Sequence, residues 1–276
     1  MKVYVQTDIE GIAGFCFREN RANTGVEGVQ HRYRMYKLLT DEVNAAVRAA
    51  FDEGAEEVIV NDNHGSGYNI LFEELDERCR IVHGRNGSCG IWLPLLDASF
   101  DCMVQIGMHA MGATKNAIIP HSRWEVNDGA FFLSEGTMAA AIAGDMGVPS
   151  VMMAGDDKIC AEFREKIPGI VQVQTKQALS CYQACSLIPK RSCQLIYEAA
   201  RRGIARRGEI KPFVVQGPVR LRLWDNNTHV PPLSPLGETI ERPTITQAFR
   251  DYYPANRPSL PWSKGPSVDM DGFMFP

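Results

Sequence analysis

The chain has 276 residues, of which 45% are apolar and 22% charged, with a net charge of −4. That length supports one large core, or a main domain with a smaller companion, and the composition is that of an ordinary globular protein. The slight acidic balance offers no electrostatic reason to bind nucleic acid or an anionic membrane, and no apolar run approaches the ~20 residues of a membrane span.

The first residues, MKVYVQTDIEG, enter strand-like sequence at once and carry acids by residue 8. This is unlike a secretory signal peptide, so a cytoplasmic location is expected. The eight cysteines are spread along the chain with no C-x-x-C pair, and reduced thiols are the expectation.

Residues 2 to 8 predict a strand, and 33 to 53 an amphipathic helix with Leu39, Val43, Val47 and Phe51 on one face. Gly54 is placed to stop that helix, and EEVIVND then predicts the second strand of a βαβ unit. A strand over 102 to 107, a small-residue helix over 135 to 146 and a strand in PSVMMAGD repeat the pattern. GDDKICAEFREKI predicts a helix capped by Asp156 or Asp157, and IVQVQTK a further strand. Cys181 and Cys185, four apart on a predicted helix, offer a soft-metal pair, against the commoner role of a buried thiol as a small hydrophobe. A long helix over 189 to 207 carries Ile196, Ala200 and Ile204 on one side. Arg201, Arg202, Arg206 and Arg207 near its end read as a solvated, dipole-complementing face rather than a phosphate site.

From residue 211 the texture changes. Alternation in VRLRLW predicts a half-exposed strand, and ERPTITQAF a short strand running into a helix. The end is rich in Pro and Gly, and its Trp262, Phe273, Met274 and Phe275 are expected to dock on their own domain or on a neighbouring subunit. The expected fold is α/β: residues 1–210 form a mostly parallel sheet flanked by helices, and residues 211–276 a smaller C-terminal α+β region with a Pro-rich tail.

Potential metal ligands fall at the ends of the predicted strands. Asp8 and Glu10, two apart in VQTDIEG, point to one side because strand side chains alternate. His64 follows the apolar run VIVNDN, and His109 follows MVQIGM. Each has an ordinary reading alone, as a solvated turn residue or a cap. Together, at one edge of a parallel sheet, two carboxylates and two imidazoles have the composition of a zinc site that keeps a position open for water.

His121 in IIPHSRW is suited to act as base or proton shuttle near neutral pH. Glu135, at the start of a helix, either joins the site or complements the helix dipole. With Glu135 five ligands are available, and Asp8 is able to bridge two ions about 3.5–4 Å apart, with Glu10 and His64 on one and His109 and Glu135 on the other. Zinc, cobalt and manganese all suit such ligands. No dinucleotide fingerprint, phosphate loop, H-E-x-x-H helix or G-x-S-x-G elbow occurs, and Gly65 and Gly67 read as relaxing a turn beside His64.

TDIEGIAG, VNDNHG, GMHA, PHS, Glu135 with its helix and VPSVMMAGDD occur in order between residue 1 and about 250. In this the sequence resembles the zinc D-aminopeptidases of the dipeptide-permease operon type (DppA-like). The resemblance implies a dinuclear zinc centre bridged by Asp8, with Glu10 and His64 on one ion and His109 and Glu135 on the other, and a direct catalytic role for His121. It also implies attack of a metal-bound hydroxide on short peptides with an N-terminal D-residue, and a homo-oligomer, a decameric ring with inward-facing sites. Met108 stands where an aromatic residue is expected, and residues 17–30 have no matched counterpart. An amidase or L-aminopeptidase on the same scaffold, and a metal-binding ring protein without catalysis, are the alternatives.

Overall fold

The computed structural model describes residues 1–16, 25–84, 92–225 and 232–256. The elements in chain order are β1 (Lys2–Thr7), α1 (Val26–Asp52), β2 (Glu57–Asp62), β3 (Arg80–Val82), β4 (Cys102–Met108), β5 (Arg123–Val126), β6 (Phe131–Leu133), α2 (Glu135–Asp145), β7 (Ser150–Asp156), α3 (Asp157–Lys166), β8 (Val171–Ser180), β9 (Gln183–Ser186), α4 (Pro189–Ala205), β10 (Val219–Asp225), β11 (Ser234–Pro235), β12 (Ile240–Arg242) and α5 (Ile245–Asn256).

The main sheet has the order β3-β2-β1-β4-β7-β8-β9, with every pairing parallel except the hairpin β8–β9. Its central strands are buried along their whole length, β4 and β7 without exception. They read as unbroken apolar runs because helices cover both faces. α1 and α4 pack together against the sheet, as do α2 and α3, and right-handed crossovers put the two pairs on opposite faces. The chain leaves β1 through α1 toward β2 and leaves β4 through α2 toward β7. β1 and β4 are therefore adjacent strands whose connections diverge, and a crevice opens beyond their carboxyl ends.

The second, antiparallel sheet has the order β11-β10-β5-β6, with β12 also on β10. It joins the mid-chain hairpin β5–β6 to the segment after residue 210. Val219, Leu221 and Leu223 face its core, as the alternation in VRLRLW predicts. Trp124 of β5 packs on Phe249 and Tyr252 of α5 with ring centroids 5.0 and 5.2 Å apart, and Trp92 stacks on Phe249 at 4.9 Å.

The predicted caps are present: Gly54 has φ of +88°, and Asp156 accepts from the amides of Lys158 and Ile159. Other expectations need correction. α1 starts at Val26, seven residues before the expected start at residue 33, because its first turns are solvated and lie ahead of the apolar stripe. The helix expected around Cys181 and Cys185 is a hairpin: β8 runs on to Ser180, Cys181 sits in the turn and Cys185 on the exposed edge strand β9. The thiols therefore lack the one-face placement of an i, i+4 helical pair. Of the terminal arginines, Arg201 meets Glu53 at 2.6 Å and Arg206 meets Glu209 at 2.8 Å, as a solvated face would. The aromatic tail 257–276 and residues 17–24 lie outside the described residues.

Gly144, in α2, illustrates how tightly the two sheets are joined. A Cβ there would lie 1.9 Å from the Phe213 carbonyl oxygen and 2.6 Å from its carbon. In a free helix Gly→Ala gains about 1 kcal/mol; here the 211–216 segment would have to move. Gly144→Ala should therefore destabilise the protein by about 1–3 kcal/mol in urea unfolding, the opposite of the propensity effect.

Candidate metal centre

β1 and β4 stay hydrogen-bonded past their ends, through the Asp8 amide to the Ile106 carbonyl at 2.9 Å and the Gly11 amide to the Gly107 carbonyl at 2.8 Å. Two glycines permit this approach. A Cβ on Gly107, whose φ is +78°, would lie 2.0 Å from the Asp8 carbonyl oxygen, and one on Gly11 would lie 1.9 Å from that of Met108. The register of β4 against β7 shifts between Ile106 and Met108, and such an irregularity re-aims the residue that follows, here His109. His64 occupies the turn after β2, where Gly65 and Gly67 adopt positive φ. That turn is fastened by Asp62, whose carboxylate accepts from the amides of Asn69 and Ile70 and from the Asn69 side chain. His121 lies just before β5, and Glu135 opens α2 directly after the N-cap Ser134.

All six residues singled out from the sequence are brought into one cluster. His64 Nδ1 lies 3.1 Å from Asp8 Oδ1 and 3.0 Å from Glu10 Oε2. His109 Nε2 lies 3.4 Å from Asp8 Oδ2 and 4.0 Å from Glu135 Oε2, and His121 Nε2 lies 3.8 Å from Glu135 Oε1. The rings of His109 and His121 stack with centroids 4.0 Å apart. Asp8, Glu10 and His109 form one group whose ligand atoms lie within 4.8 Å of one another, and His109, His121 and Glu135 form a second. His109 thus belongs to both.

Protonation makes this cluster electron-rich. His109 Nδ1 lies 2.8 Å from the Ala110 carbonyl and His121 Nδ1 2.9 Å from that of Ile119. A carbonyl only accepts, so Nδ1 must carry the proton in each ring, and in the neutral ring Nε2 then presents a lone pair. Burial and the nearby His121 hold the His109 pKa below its usual value, favouring that neutral ring. The Asp8 carboxyl is pushed well above its usual range by burial and by the charge of Glu10; Glu10, against the upward push of burial, is drawn well below by His64. His109 Nε2 and Glu10 Oε2 are buried and make no hydrogen bond among the described residues.

Lone pairs and carboxylate oxygens facing one another inside a protein are stabilised by a proton or a metal cation between them. The donor set of imidazole nitrogens and carboxylate oxygens suits zinc, and an Nδ1–H held by a main-chain carbonyl is the usual outer support of a metal-binding histidine. The residues therefore fit a metal ion.

A family model described as D-aminopeptidase, of the M55 peptidases, matches residues 1–253. The chain belongs to this M55 family. A D-aminopeptidase from Bacillus subtilis (strain 168) is 29% identical over 220 residues, which cover 77% of each chain. The solved structure of a Zn-dependent D-aminopeptidase DppA from Bacillus subtilis, titled a self-compartmentalizing protease, superposes with a TM-score of 0.80 over 97% of this chain and all of its own, at 23% identity. The α/β fold with its mostly parallel sheet is thus that of the solved DppA structure.

Two buried acids around the M55 site were not read as part of it from the sequence. Asp156, at the end of β7, accepts from the Ala110 amide at 3.1 Å while capping α3, and so fixes the residue after His109. Besides the helix-capping signal, the sequence marks it only as an acid closing the apolar run PSVMMAGD at the same sheet edge. Glu42, inside α1, accepts through Oε1 from the Ala13 amide at 3.0 Å and the Ser192 hydroxyl at 2.7 Å.

Burial raises the Glu42 pKa to about 7, so the folded state holds its proton longer than the unfolded chain does. Its contribution to stability is complete below the unfolded value near 4.5 and fades as pH rises through about 7. Glu42→Gln should match wild type near pH 5 and exceed it at pH 8 by up to about 3 kcal/mol; urea unfolding at the two pH values checks the sign.

Proposed function

We propose that the chain is a dinuclear zinc aminopeptidase that removes the N-terminal residue, D-configured, from short peptides. The observation that carries this is the buried His109 Nε2, which makes no hydrogen bond among the described residues and faces the carboxylates of Asp8 and Glu135 at the switch point of an M55 fold. The relatives named D-aminopeptidase and Zn-dependent D-aminopeptidase support the metal and the substrate class.

In this reading Asp8, Glu10 and His64 would hold one zinc ion, and Asp8, His109 and Glu135 the other. When bound, zinc supplies Lewis acidity that polarises the scissile carbonyl and lowers the pKa of water. The chain does the rest. Asp8, Glu10 and His109 are 6, 4 and 1% exposed and form a dry wall, whereas the His121 and Glu135 side chains, 16 and 26% exposed, face the open side from which a peptide enters. With Nδ1–H fixed on the Ile119 carbonyl, His121 offers Nε2 to take a proton from the attacking water and return it to the leaving amine.

We further assign residues 1–210 as the metal-bearing unit and 211–276 as the smaller unit supporting the β5–β6 hairpin. We also propose a cytoplasmic homo-oligomer, a decameric ring; the relative titled a self-compartmentalizing protease supports the homo-oligomer. No helix among the described residues is long and apolar enough to cross a membrane.

Metal content by plasma mass spectrometry, on protein purified without chelator or nickel, tests the centre: about two zinc ions per wild-type chain are expected, and both weakened in Asp8→Ala. One ion discards the bridge; none after zinc is added back discards the metal reading. His121→Ala should keep its zinc and lose roughly 10²–10⁴-fold in turnover of short D-peptides. A panel with both stereoisomers separates this activity from that of an L-aminopeptidase or amidase.

A further inference from the structure

The turn that carries Glu10 is weakly held by its own backbone. Its internal bonds, Ile12 amide to Ile9 carbonyl and Phe15 amide to Ile12 carbonyl, are long at 3.3 and 3.4 Å. Its strong bonds come from outside. Lys176, in β8 and 2% exposed, donates from Nζ to the carbonyl oxygens of Glu10, of Ile12 at 3.0 Å and of Phe15 at 2.7 Å. The neighbouring Thr175 places Oγ1 2.5 Å from the Gly11 carbonyl and 2.9 Å from that of Gly155. Glu42 takes the Ala13 amide.

A buried ammonium normally pairs with a carboxylate. Here its three N–H groups are matched to three main-chain acceptors, a geometry that a compact ammonium satisfies and a planar guanidinium does not. One of those acceptors is the carbonyl of Glu10 itself, so the ammonium fixes where the Glu10 side chain begins. Removing it takes the ammonium from the Glu10 and Phe15 carbonyls, leaves the Ile12 carbonyl only the long bond from the Phe15 amide, and lets the turn relax away from β4.

We propose that Lys176 is a positioning residue of the metal centre: by gripping the carbonyl oxygens of Glu10, Ile12 and Phe15, it fixes the turn that presents Glu10 to the ion. This rests on reading Asp8 and Glu10 as zinc ligands. The side chain touches neither substrate nor metal and acts through the main chain of the turn.

The test uses full-length protein: wild type, Lys176→Met, and Thr175→Val, the milder variant that leaves the ammonium in place and frees the Gly11 carbonyl. Zinc affinity is measured by chelator competition, and coordination by the visible spectrum of the cobalt-substituted form. Hydrogen exchange of residues 8–16 is followed in metal-free protein. Lys176→Met should bind zinc roughly 10- to 100-fold more weakly, with an altered cobalt band and faster exchange confined to the turn; Thr175→Val should shift in the same direction by less. If Lys176→Met fails to fold, the affinity and exchange of Thr175→Val decide. Wild type that binds no zinc overturns the ligand reading and this proposal with it. Wild type that binds zinc, with folded variants equal to it in affinity and spectrum even at a lower melting temperature, makes Lys176 a residue of the fold alone and overturns only its role at the centre.

Discussion

Like charge held in a dry place is the constraint on which the rest of this molecule depends. Asp8 and Glu10 are almost wholly buried at the end of β1, and the groups nearest them include imidazole nitrogens that offer lone pairs. Uncompensated, such an arrangement opposes folding, since a buried charge without a partner carries a heavy desolvation penalty. The fold tolerates it because the main chain is unusually well fastened there. Gly11 and Gly107 let β1 and β4 approach backbone to backbone, β8 grips the turn through Lys176 and Thr175, and Asp156 holds the residue after His109. Rigid backbone around a strained electrostatic centre is what a preformed site requires.

The second sheet is part of this arrangement. Its hairpin β5–β6 begins two residues after His121 and ends two before Glu135, so the open half of the cluster is framed by strand ends that pair with each other. β10 pairs with β5, and α5 covers β5 through Trp124. The carboxyl-terminal segment thus steadies the half of the site that the parallel sheet does not reach.

Much of this was legible in the sequence because its signals are local. Fully buried parallel strands write themselves as apolar runs, and a polar residue closing such a run marks the sheet edge; Asp8, His64 and His109 were visible for that reason. Asp156 and Gly54 were visible through capping rules. The β5–β6 hairpin escaped because its strands are four and three residues long, too short for periodicity, and because its partner β10 lies about a hundred residues away. The β8–β9 hairpin was mistaken for a helix since a four-residue cysteine spacing fits either period over so short a stretch. Lys176 gave no signal at all. In IVQVQTK it looks like the solvent-facing end of a strand, and only the tertiary fold shows that the carbonyls of a turn some 160 residues earlier supply its partners.

His109 and His121 show how one local geometry is divided into two tasks. Both rings fix Nδ1–H on a main-chain carbonyl, both aim Nε2 toward Glu135, and they stack nearly parallel. Their surroundings differ. His109 is sealed from solvent and also faces Asp8. His121 keeps part of its surface exposed. The stacking also opposes charging both rings at once, because one imidazolium disfavours its neighbour. Burial, rather than residue type or tautomer, is therefore what separates the proposed ligand from the proposed base.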